Sequence, residues 1–133
     1  MLPLAARIAV VFLVGLGLGA LVNWAIYALA WRPRPISPWS RLAPGASPRG
    51  RLDRVPVIGW LALRREAVIH GPGFWIRPLL IEVFLATALA ALYWWEIERL
   101  GLVQGQVGAV IFPPISALHW QFLSHVLLFV WIL

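Results

Sequence analysis

Residues 15–27 read GLGLGALVNWAIY, a run of small and aliphatic residues closed by one amide, Asn23, and one phenol, Tyr27. They lie inside a segment that carries no charge from Ile8 to Trp31. A helix over that segment is about 36 Å long at ~1.5 Å per residue, more than the ~30 Å hydrocarbon core of a bilayer. An amide in hydrocarbon is costly unless a buried group satisfies it, so Asn23 calls for an interhelical hydrogen bond. Gly15 and Gly19, four residues apart, suit close approach of another helix, from the second or third span of the same chain in preference to a second copy.

Two further apolar stretches follow, Leu79 to Trp95 and Ile115 to Leu133. With 62% hydrophobic residues, nine Trp and 12% charged residues, the composition excludes an ordinary soluble domain. The expected fold is an all-α integral membrane protein with three transmembrane helices, over 8–31, 79–98 and 115–133, the last cut by the chain end. Ala28-Leu29-Ala30 mimics a signal-peptide cleavage site, but the apolar run exceeds the ~7–15 residues of a signal core and its Arg cluster follows the run. The first span therefore reads as a retained anchor.

All eleven basic residues are Arg, and nine of them fall between Arg32 and Arg77. The positive-inside rule places the 32–76 loop in the cytoplasm, the N-terminus outside, and a 99–114 loop outside. The loop arginines are scattered among Pro, Gly and Trp without helical period, which suits lipid phosphate and not nucleic acid. Trp31 and Trp75 at the inner ends of the spans, and Tyr93, Trp94 and Trp95 at an outer end, read as interfacial anchors. Five prolines between Arg32 and Arg51 deny that part regular structure. From Asp53 to Arg65 (DRVPVIGWLALRR) the chain is apolar enough for a short amphipathic helix at the membrane face, with Trp60 and Leu63 inserted. A turn at Gly71-Pro72-Gly73 leads into the second span.

Three motifs give these pieces a family. Gly19, Ala20, Asn23, Ile26 and Tyr27 match G-[S/A]-x-x-N-x-x-I-Y. Asp53, Val55, Pro56, Ile58, Trp60 and Leu61 match D-x-[I/V]-P-x-[I/L]-x-[W/Y]-L. Arg77 lies five residues before Glu82. In this order and spacing the chain resembles the N-terminal half of prepilin leader peptidases, membrane aspartic endopeptidases of type IV pilus and type II secretion systems. The resemblance implies a bacterial inner-membrane enzyme that removes the leader of prepilins or pseudopilins. Many full-length members also N-methylate the new N-terminus with S-adenosylmethionine. Gly19, Asn23, Tyr27, Asp53, Pro56, Trp60, Arg77 and Glu82 are the structural or substrate-proximal residues it implies, with Arg77 and Glu82 pinning the loop to the second span.

The family also implies two catalytic aspartates, because one carboxyl must be ionised while the other is protonated. The only aspartate here, Asp53, matches a non-catalytic position. The chain stops at Leu133, where the first catalytic aspartate would be about to follow. The expectation is a portion inactive alone, with no catalytic residue, whose missing partner is a C-terminal catalytic half. Many members bind zinc through two C-x-x-C pairs in this loop. This chain has no cysteine, and the second pair would fall at Ala67 and His70, so no metal is expected. His119 and His125 are six apart, roughly 240° around a helix at ~100° per residue, and cannot share one. The alternative from a different class is a non-enzymatic three-span membrane subunit or scaffold.

Overall fold

A computed structural model of the chain describes residues 2–32, 34–98 and 115–132, and every regular element among them is helical. The expected 99–114 loop lies outside the described residues. Helix α1 spans Leu4–Ala28, starting ahead of Ile8 so that Arg7 sits in its first turns. Helix α4 spans Ile76–Tyr93 and continues through a π-helical turn, Trp94–Glu98. Both are long and apolar enough to cross a membrane. Between them lie α2, Ile58–Ala62, and α3, Ala67–His70, joined by a 3-10 turn, Leu63–Glu66. Helix α5 spans Ile115–Ile132.

The α1–α4 pair is the backbone of the fold, and small residues allow it. A Cβ on Gly15 would lie 2.6 Å from the Ala86 Cα, and one on Gly19 would lie 2.7 Å from the Glu82 Cα. Both are below any tolerable contact, so the two helices touch backbone to backbone. The burial pattern is the inverse of a water-soluble helix pair. Along α1 the buried residues are Gly15, Gly19, Ala20 and Asn23, while Leu13, Val14, Leu21 and Trp24 are exposed. On α4 Glu82 is buried while Leu80 and Phe84 are exposed. So contiguous an apolar exterior is uncommon in a monomer surrounded by water.

Two small cores flank this contact. Leu85, Leu89 and Val126 gather Val11, Leu18, Phe122 and Phe129, which brings α5 onto α1 and α4. Ile36, Trp60 and Leu63 gather Tyr27, Phe74, Trp75 and Leu79 beneath the loop. The loop therefore differs from its expected placement: Trp60 and Leu63 turn inward against the protein and do not insert into a bilayer. The physical reason is that α2 finds a ready apolar surface where α1 ends and α4 begins, and a hydrogen-bond acceptor for the indole. Tyr93 also departs from an anchoring role. It is buried, packs its edge against Phe122 and accepts a hydrogen bond from Arg7 at 3.5 Å. Trp31, in contrast, is almost fully exposed.

Candidate functional site

The Glu82 carboxylate gathers three chain segments. Its position one turn into the α1–α4 contact, opposite Gly19, leaves it 1% exposed. Asn23, one turn beyond Gly19 and equally buried, donates from Nδ2 to Glu82 Oε1 at 3.2 Å and to the Pro78 carbonyl at 2.8 Å. The Trp60 indole donates to Oε1 at 2.8 Å, and the Val57 backbone N–H donates to Oε2 at 2.6 Å. A buried carboxylate is tolerable when donors satisfy its oxygens, and here each oxygen has at least one.

Val57 shows how the loop is shaped to reach it. Its φ of 64° and ψ of −55° make it a positive-φ β-branched residue, an arrangement that carries backbone strain. Ile58 N donates to the Pro56 carbonyl at 2.7 Å, which closes a three-residue γ-turn of the rare hand. That turn aims the Val57 N–H at Glu82. Pro56 fixes the entry to the turn through its ring-locked φ. Tyr27, one turn beyond Asn23, lays its ring against Trp60 with centroids 6.3 Å apart.

Behind this clasp the loop is tied to itself by ion pairs. Asp53 accepts from Arg65 at 2.6 and 3.1 Å and from the Gly50 N–H at 2.7 Å. The Arg65 hydrogen bond holds its carboxyl below the usual range, against a smaller opposing effect of burial. Glu66 is buried, which pushes its pKa up, yet the net shift is downward. Arg49 donates to both of its oxygens, at 2.7 and 3.1 Å, and His70 stands 3.3 Å away. Arg49 also donates to the carbonyls of Ser37 and Ser40. A second carboxylate–histidine pair, Glu96 with His125 at 2.5 Å, joins the π-helical turn to α5.

Of the residues singled out in the sequence, Gly19, Asn23, Tyr27, Pro56, Trp60 and Glu82 meet at this one place. Asp53 stands just outside it. Arg77 does not join: it is exposed, and no ion pair links it to Glu82. Five positions along a helix turn a side chain well away from its partner, and Asn23 and the loop have taken the carboxylate. Sequence reasoning missed Arg49, Glu66 and the Val57 N–H. The four-residue spacing of Glu66 and His70 was a usable signal. Nothing local marked Arg49, whose partner lies 17 residues away.

The chemistry open to this arrangement is positional. Among the described residues no second carboxylate stands beside Glu82 to share a proton, and Asp53 is committed to Arg65. Among the described residues no three His, Cys, Asp or Glu side chains are grouped to hold a metal ion. The fold and site thus define a helical chain whose basic loop is clasped to a tightly packed helix pair by one buried carboxylate. No protein-family model matches the chain, and no curated protein or solved structure matches it.

Proposed function

We propose that this chain is the N-terminal, non-catalytic part of a membrane aspartic endopeptidase that removes the leader peptide of type IV prepilins or pseudopilins. In this reading three helices sit in the bacterial inner membrane with the N-terminus outside and the basic loop in the cytoplasm. One observation carries it. Residues from three motifs, up to 59 positions apart, converge on the Glu82 carboxylate. The inverted burial of α1 and α4 supports the membrane setting, and the clustered arginines support the orientation.

The role of this part is to hold the basic loop against the helix pair, where it supplies a fixed wall for a cytoplasmic active site. Zinc does not fit here. The loop offers one imidazole, His70, and two carboxylates, Glu66 and Asp53, whose oxygens are already bound by Arg49 and Arg65. Arg49, Glu66, His70, Asp53 and Arg65 fasten the loop in the place of a metal. Methylation with S-adenosylmethionine, implied for full-length enzymes, is assigned to no residue of the clasp.

Expression of the whole gene in a bacterium stripped of its own prepilin peptidase tests the proposal. Processed pilin should reappear, and Glu82→Leu should reduce it. A membrane-inserted product that processes no prepilin or pseudopilin would refute the proposal in favour of the three-span scaffold.

A further inference from the structure

A groove of about 590 Å³ runs between α1 and the basic loop, on the side of α1 facing away from α4. Gly17, Leu21 and Trp24 line it from the helix, and Trp39, Arg54 and Pro56 line it from the loop. Its wall is almost wholly apolar along the helix. Its loop side carries one charge.

Gly17 is what leaves the groove open. Gly15 and Gly19 are pressed against α4, but a Cβ on Gly17 would meet nothing within 4 Å. Helix packing therefore does not require a glycine there. Arg54 is exposed and has no ion pair among the described residues. Arg54 is the one basic residue lining this groove, while Arg49 pairs with Glu66, Arg65 with Asp53, and Arg64 lies over the Trp75 ring at 5.9 Å. Trp24 and Trp39 flank the groove, half-exposed, as indoles do at the level of lipid headgroups.

We infer that this groove binds one anionic phospholipid. An acyl chain lies along Gly17 and Leu21, and the phosphate meets Arg54 between the two indoles. Charge complementarity selects the occupant, since an apolar trough ending at a single unpaired guanidinium suits a molecule with a long hydrocarbon tail and an anionic head. The inference rests on the membrane reading of α1 and α4 and not on the peptidase reading.

The test is native mass spectrometry of the detergent-extracted protein after reconstitution in vesicles of equal phosphatidylglycerol and phosphatidylethanolamine. The wild type should retain one phosphatidylglycerol per chain, favoured about fivefold, the ratio set by one basic residue near an anionic head. Arg54→Gln should erase the preference, Gly17→Phe should expel the lipid, and Arg41→Gln should change neither. Equal retention of the two lipids by the wild type, or an unchanged preference in Arg54→Gln, would overturn the inference. A dimer that Gly17→Phe dissolves would assign the groove to a second copy and overturn it too. Alkaline carbonate distinguishes the levels. A protein washed off the membrane sinks the membrane reading, whereas an embedded protein with no headgroup preference sinks only this inference.

Discussion

Glu82→Leu is the most informative single change. It keeps most of the side-chain volume between α1 and α4 and removes the acceptor. Asn23 retains the Pro78 carbonyl, but the Trp60 indole N–H and the Val57 N–H lose their only buried partner. Each buried donor left without an acceptor costs about 1–3 kcal/mol, so the docked loop should weaken by about 2–6 kcal/mol against an opened one. Limited trypsinolysis reads this directly, because cleavage of a structured segment follows the population in which it opens. Arg32, Arg34 and Arg77 each precede a proline and resist the enzyme. Arg41, in the irregular part of the loop, serves as an internal reference, and Arg64, inside the docked 3-10 turn, is the reporter. At the lower bound, cleavage after Arg64 relative to Arg41 should accelerate about thirtyfold. Trp60→Phe orphans no donor and should accelerate it less. In the double variant the two effects should fall short of their sum, because Glu82→Leu then leaves one donor fewer unpaired. Unchanged relative cleavage in Glu82→Leu, with helix content intact by circular dichroism, would refute the clasp.

Gly19→Ala should force α1 from α4 and lower stability by about 1–3 kcal/mol, seen as a reduced thermal midpoint in detergent, whereas Gly17→Ala should leave it unchanged. The pH response follows from Asp53 and Glu66, whose folded pKa values are depressed. Their contribution is present above the ordinary carboxyl values of 3.8 and 4.5 and is lost as pH falls below them through the folded values. The thermal midpoint should therefore drop in acid below about pH 4.5, and the drop should shrink in Asp53→Asn and Glu66→Gln. For orientation, a reporter fused after Gly50 should behave as cytoplasmic and one fused after Gly105 as external; the reverse pattern would overturn the charge argument.

The helices and the glycine contact were legible because hydrophobic run length and small-residue spacing are local properties of a chain. Asn23 was legible as a residue needing a partner, since an amide isolated in apolar sequence is too costly to bury unpaired. Its partner was named only as part of a motif, with Arg77 and Glu82 together expected to pin the loop. Glu82 does hold the loop, but through donors that sequence proximity does not show: an indole and a backbone N–H from 22 and 25 residues upstream. A backbone donor at positive φ leaves no mark in the residue type, because valine is an unfavourable choice for that conformation. The inward turn of Trp60 was hidden for a related reason. An apolar face on a short helix reads the same whether it covers lipid or protein, and only the Ile36–Leu63–Tyr27 surface decides between them.

Leader removal in vitro is the direct test of the proposal that this chain is the loop-bearing part of a prepilin peptidase. The product of the whole gene, purified in detergent with lipid, is incubated with a prepilin peptide and the products are weighed by mass spectrometry. Cleavage is expected at the leader junction, slowed by Glu82→Leu, with an intact peptide when the 133-residue chain is used alone. Cleavage by the 133-residue chain alone that vanishes in Asp53→Asn, or an intact peptide with the whole gene product, would contradict it.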